Sequence, residues 1–370
     1  CRRELIESSL CMWERLASLK GQYSDSGDKN DPRFFFGVGD QIYSDELWNR
    51  EGNGAPKRFM RRLAPEERIG AYKEVYQKQL GLSPVSEVTS CCPAFYTWDD
   101  HEIRDGWGSH GDEAKYPYMF EAAEEVYFKY QLEHNPLVDR SKGYYSFIYG
   151  RIGFVVLDLR RYRNSTTKVL LSDEQFEWLK DWFASEGKEC RVVFVVCSVP
   201  LVHVSYAISR KANKLIMKHL GLADDLRDQW NSKAYIADTR RFIRLLFDEA
   251  NERGIRIVVL GGDVHVGTFA ALRSSDPKHE LHPVIYQFTS SPISNKPTKI
   301  ARYLDVLAPK FAVGEDLDYS ARLLDTFAER NFGLVHIRTK RQAGKRVDYG
   351  VTFEIHHEDS DKPVRFPTLW

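Results

Sequence analysis

The chain has 370 residues, of which 42% are hydrophobic and 13% aromatic, enough apolar material for one large core or two smaller ones. Lys+Arg and Asp+Glu both total 53, so no global field draws the protein to nucleic acid or to an acidic membrane surface, and any anionic ligand needs a local site. The longest apolar run, VVFVVCSVPLV at 192–202, falls short of the roughly 18 residues that span a bilayer, which makes a soluble globular domain the expectation.

In chain order, RFFFGVGD (33–40) and AFYTWDD (94–100) are short apolar runs that stop at acids, the pattern of buried strands. Residues 143–163, GYYSFIYGRIGFVVLDLRRYR, alternate apolar and polar on either side of Gly150 and Arg151, which predicts an antiparallel hairpin. Ser172 followed by Gln175 makes a capping box, after which Phe176, Leu179 and Phe183 recur on one helical face. A third strand is predicted in CRVVFVVCSVP (190–200). Phe242, Leu245, Leu246 and Ala250 mark a helix that stops at Gly254. IRIVVLGGD (255–263) and VIYQFTS (284–290) are two further strands, and 332–357 reads as a terminal hairpin.

Strands alternating with helices predict an α/β fold with a partly parallel sheet and helices on its outer faces. Residues 1–370 read as a single domain, with an insertion over 205–235 and a peripheral helical segment over 297–331. Cys1, Cys11, Cys91, Cys92, Cys190 and Cys197 form no CxxC pair and are too sparse for a disulfide scaffold. No charged-then-apolar leader is visible and the chain starts at Cys1, which points to residues removed upstream and leaves the compartment, exported or cytoplasmic, open.

Three strands end in acid clusters: GDQIY at 39–43, WDDHEIRDGW at 98–107 and GGDVH at 261–265. Ligands of open α/β sheets bind beyond the carboxyl ends of strands, where side chains from separate loops converge. Carboxylate with imidazole or phenol suits iron, manganese, zinc or calcium. Four or five clustered carboxylates without a cation repel one another strongly, so the three clusters together point to a metal site. Taken singly, GD after a strand is a common turn, and DDHE is a common solvated helix start.

GDQIYSD, TWDDHEIRDGWG, VVLDLRRYR, DQW at 228–230, GGDVHVG and QFTSSPISN, in this order, resemble the signature blocks of PhoD-like alkaline phosphatases, a branch of the calcineurin-like metallophosphoesterases. The resemblance implies a four-layer αββα sandwich of two mixed β-sheets flanked by helices. It also implies phosphoester hydrolysis by a metal-activated hydroxide at a site of Fe3+ with Ca2+, or of Zn2+ or Mn2+ in relatives. Asp40 then matches the acid that bridges the metals, Tyr43 a phenolate ligand of iron, and Asp263 and His265 the ligands of the last block. Asp100 and His101 align with the Asn-His pair of the wider superfamily, and Asp105 with a ligand position of the PhoD branch. Asp105 is the favoured ligand, with His101 near the leaving oxygen.

Cys1 stands where the family has a thiolate ligand, but Arg3 occupies the place of an Asp, which brings the second metal into question. His203 ends a strand where the wider superfamily, though not this branch, has a metal-binding histidine. Arg160, with Arg161 and Arg163, follows Asp158 beyond a strand end, where guanidinium groups grip phosphate oxygens or simply form ion pairs. The expected substrate is a phosphorylated small molecule or lipid. The alternatives to a broad phosphatase are a phosphodiesterase of phospholipase D type and a catalytically impaired phosphate-binding relative. No stable nucleic-acid binding is expected, and the oligomeric state is open.

Overall fold

The computed structural model describes residues 10–19, 32–49, 55–109, 111–135, 139–202, 230, 232, 234–295, 311–312, 318–341 and 347–370. Cys1, Arg3, His203 and most of the expected 205–235 insertion lie outside these residues.

After a helical segment over residues 10–19 come two parallel strands, β1 (Phe35–Val38) and β2 (Ala94–Thr97). Between and after them run α1 (Pro65–Leu80), α2 (Ser83–Cys91) and α3 (Pro117–Tyr130). The expected hairpin forms as β3 (Tyr145–Tyr149) and β4 (Ile152–Val156), turning at Gly150. Then come α4 (Asp173–Ala184), β5 (Val192–Cys197), α5 (Ile236–Arg253), β6 (Arg256–Gly261), β7 (Gly267–Ser274) and β8 (Val284–Thr289). The chain closes with β9 (Phe311–Ala312), β10 (Tyr319–Phe327), β11 (Asn331–Lys340), β12 (Asp348–His357) and β13 (Val364–Arg365).

Eight strands make one mixed sheet in the order β3-β4-β5-β6-β8-β7-β10-β9, parallel from β4 through β8 and antiparallel at both flanks. The period-2 alternation of its central strands sorts side chains between two cores. Val155, Val193, Val195 and Ile257 pack on Phe176, Leu179 and Phe183 of α4 and on Phe242 and Leu246 of α5. On the opposite face, Phe154, Phe194, Val258 and Phe288 meet Phe353 and Ile355 of β12 and Phe36 of β1. That second β layer consists of the β1-β2 pair and the antiparallel β11-β12-β13 sheet. Its outer side is covered in part by α1 and α3, through Tyr72, Tyr76, Ala123 and Tyr127. The layers are therefore helix, sheet, sheet, helix, with both faces of the large sheet buried. Each large apolar side chain so enclosed contributes about 1.5–3 kcal/mol.

Ser172 caps α4 by accepting the Gln175 N–H at 3.1 Å. The Gln175 side chain does not close the box but grips the backbone of Asp158, donating to its carbonyl and accepting from its N–H, both at 2.9 Å. The helix start is thereby tied to the end of β4, where the chain turns toward the acid clusters. α5 ends as expected on Gly254, at φ 59.

The segment 297–331 departs from the helical expectation in its described part. Residues 319–327 form β10, paired antiparallel with β7. Tyr319, Ala321 and Leu323 are buried while Arg322 and Leu324 are exposed, a two-residue alternation that fits a strand with one face on the core.

Candidate metal centre

β1 and β6 both end in glycine followed by an acid in the left-handed region. Asp40 has φ 54, Asp263 φ 60 and His265 φ 51, after Gly39 at φ 79. Non-glycine residues at positive φ are uncommon and concentrate where function fixes the backbone. Close packing explains the glycines. A Cβ on Gly39 would lie 2.7 Å from Cβ of Asp99, and one on Gly262 would lie 2.2 Å from the carbonyl oxygen of Val38. The ends of β1, β2 and β6 are thus brought together more tightly than any side chain allows.

Four carboxylates meet there. Asp40, Asp99, Asp100 and Asp263 each offer an oxygen within 4.8 Å of the others, and Asp40, Asp100 and His101 form an overlapping group with the same limit. Both Asp40 oxygens are enclosed and find no hydrogen-bond partner among the described residues. Burial pushes the Asp40 carboxyl well above the usual range; the carboxylates of Asp100, Asp263 and Asp99 add to this, and His101 opposes it. Burial also raises Asp99, against the pull of Arg160. An orphaned, buried carboxylate among three others fits a cation, because oxygen donors left in this state are otherwise costly.

Three rings border the cluster. The Tyr43 hydroxyl lies 3.1 Å from Nε2 of His265, and the Tyr43 ring is 4.3 Å from that of His101. Burial, then Asp40 and Asp263, push the Tyr43 phenol well above 10. Burial and the neighbouring His101 pull His265 down to about 4, so its imidazole is neutral. His101 is the opposite case: burial opposes its charge, but Asp40, Asp100 and Asp45 outweigh burial and raise it well above its usual value. Its Nδ1 is anchored on Asp45 Oδ2 at 2.5 Å. A cavity of 1220 Å³ opens on Asp40, Tyr43, Asp263 and His265 and continues between β1 and β11.

Two expected site residues stand elsewhere. Asp105 is exposed and belongs to neither donor group; its backbone N–H donates to Asp45 Oδ1 at 2.8 Å. The cause is the turn after β2: Asp100 accepts the N–H groups of His101 (3.0 Å) and Gly106 (2.5 Å), so Asp99 and Asp100 face inward while Asp105 is carried outward. Arg160 is fully buried rather than open to a phosphate. Its Nε donates to Asp99, its Nη1 to the Trp107 carbonyl at 3.2 Å, and its Nη2 lies 3.6 Å from Asp100. It is an internal counter-ion to the acids. Arg161 pairs with Glu124 at 2.7 Å, and buried Arg163 lies over the Tyr235 ring at 4.7 Å. Asp158 sets this turn by accepting the N–H groups of Arg160 (2.9 Å) and Arg161 (3.0 Å) and Nε1 of Trp98 (2.9 Å).

Sequence reasoning missed Glu102, buried at 0% exposure and pushed by burial to about 7. Its only sequence signal is its place inside DDHE.

The sequence pattern of the PhoD-like phosphatases matches residues 17–346. The chain belongs to the PhoD-like phosphatase family. This PhoD-like chain is 22% identical over 329 residues to an uncharacterized protein of Saccharomyces cerevisiae, covering 66% of this chain and 46% of that protein. It therefore spans about half the length of that curated relative. Among solved structures, it resembles that of PhoD with a TM-score of 0.59 and 16% identity, over 96% of this chain and 68% of the other. That likeness bears on the fold. A purple acid phosphatase from yellow lupin (Lupinus luteus) seeds is matched at a TM-score of 0.42 with 12% identity, over 89% and 51% of the two chains. No helix among the described residues is long and apolar enough to cross a membrane.

Proposed function

We propose that this chain is a metal-dependent phosphoesterase that binds its ions through Asp40, Asp99, Asp100 and Asp263. The observation that carries this reading is Asp40, a buried carboxylate with both oxygens unpartnered beside three more acids. Oxygen donors bordered by imidazole and phenol suit hard or borderline ions, iron with calcium first among them and zinc or manganese as alternatives. When bound, such ions supply Lewis acidity and a water of lowered pKa.

The remaining steps belong to the chain's own groups. His101, with Nδ1 held by Asp45 Oδ2, keeps its other nitrogen to protonate the departing alkoxide. Arg160 holds Asp99 and Asp100 from behind. Tyr43 and His265 are further ligand candidates on the cavity side, with Cys1 a thiolate candidate outside the described residues. A phenol that burial keeps neutral loses its proton only against a strong local cation.

Metal analysis of the purified protein, combined with assays on a chromogenic phosphomonoester and a phosphodiester across added iron, calcium, manganese and zinc, tests the proposal. Metal-dependent turnover of at least one ester is expected. A protein that binds none of these ions would overturn it, and one that binds metal but turns over neither ester would be a phosphate-binding relative instead. In iron-loaded protein, visible absorption that Tyr43→Phe leaves unchanged would remove Tyr43 from the ligand set.

A further inference from the structure

Glu102 sits between two of the clustered acids in space but belongs to neither donor group. Its carboxylate is fully buried and takes four hydrogen bonds. Oε2 accepts the backbone N–H of Asp40 at 3.0 Å and of Asp99 at 2.8 Å. Oε1 accepts the backbone N–H of Gln41 at 2.8 Å and the side-chain Nε2 of Gln131 at 3.3 Å. One carboxylate thus ties the turn after β1 to the turn after β2, gripping the backbone at the very residues whose side chains meet in the cluster. Asp40 adopts its strained positive φ with its N–H held in this way.

We propose that Glu102 is the positioning residue that sets the spacing between Asp40 and Asp99, and so the affinity of the centre for metal. The proposal rests on the metal-dependent reading above. The site demands glutamate for two reasons. An aspartate keeps the charge but is one methylene shorter, about 1.5 Å, and reaches only one of the two turns. A glutamine keeps the length, but its amide turns an NH2 either toward the N–H groups of Asp40 and Asp99 or toward that of Gln41. Backbone donors cannot flip to accept it. Groups that orient ligating residues typically change metal affinity tenfold to hundredfold when altered.

The test titrates Mn2+ into metal-free wild type, Glu102→Gln and Glu102→Asp by calorimetry, with thermal unfolding and amide hydrogen exchange measured on each. Both variants should bind Mn2+ roughly ten to a hundred times more weakly, with faster exchange at the amides of Asp40, Gln41 and Asp99. Loss confined to Glu102→Gln would mean that Glu102 acts through its charge, and would overturn the proposal. A lower melting temperature with wild-type affinity would mean a purely structural role and would also overturn it. If one variant does not fold, the other carries the comparison. If wild type itself binds no Mn2+, the metal reading is what fails, and exchange at the three amides still judges Glu102: unchanged rates would refute it.

Discussion

Asp40 combines three unfavourable conditions at one residue: burial, like-charged neighbours and a left-handed backbone. In the metal-free protein its carboxyl titrates well above the unfolded value of about 3.9. The folded state therefore holds a proton that the unfolded state releases first. The stability this proton contributes is complete below about pH 4 and is lost as pH rises through the folded pKa. Asp40→Asn removes the group from this balance. At neutral pH without metal, the variant should be more stable than wild type, on the order of 1 kcal/mol, with a flatter stability profile across the acid range. The same variant should lose metal-dependent hydrolysis, because an amide is a weaker ligand for a hard cation. Denaturant unfolding over a pH series, paired with activity at saturating metal, checks both halves. A variant less stable than wild type when metal-free would contradict the account.

The ends of β1, β2 and β6 are shaped by backbone contact more than by side chains. Gly39 illustrates this, since its φ of 79 and the 2.7 Å approach of a hypothetical Cβ to Asp99 leave no room for alanine. Gly39→Ala should cost about 1–2 kcal/mol for the left-handed backbone, with the steric clash in addition, and should weaken metal binding by displacing Asp99. Gly70, in the interior of α1, has nothing within 4 Å of its Cβ position, so Gly70→Ala should stabilise by about 0.5–1 kcal/mol. Equilibrium unfolding of the two variants separates the readings: equal effects would show that the strand end is less constrained than its geometry indicates. The arginine block after β4 teaches a related lesson. LRRYR follows a strand end as a phosphate-binding loop would, yet Asp158 folds the turn so that Arg160 and Arg163 point into the protein.

For the molecule as a whole, a metal bound only by the folded state shifts unfolding by mass action. At an ion concentration one hundred times the dissociation constant, the gain is about 2.7 kcal/mol. With about 2.1 cal/mol/K of unfolding entropy per residue, a 370-residue chain should melt about 3–4 °C higher. Scanning calorimetry with added metal, then with excess chelator, should show this rise and its reversal. An unchanged melting temperature at saturating metal would contradict binding to the folded centre. Much of this architecture is legible in the chain itself, because strand and helix periods and caps are local properties. The runs at 33–40, 94–100, 190–200, 255–263 and 284–290 became β1, β2, β5, β6 and β8, and both hairpins formed. Other strands were less visible: β7 follows the GGDVH cluster directly, and β10 places Leu324 on its solvent side. Asp40 and Asp263 could be named in advance because a glycine and an acid after an apolar strand is a local signal. Tertiary structure alone decided that Asp99 and Asp100 face the cluster while Asp105 faces solvent, that Arg160 neutralises acids from within, and that Glu102 joins two turns. Each depends on which donors another loop brings within 3–4 Å, and the order of residues along a strand does not encode that distance.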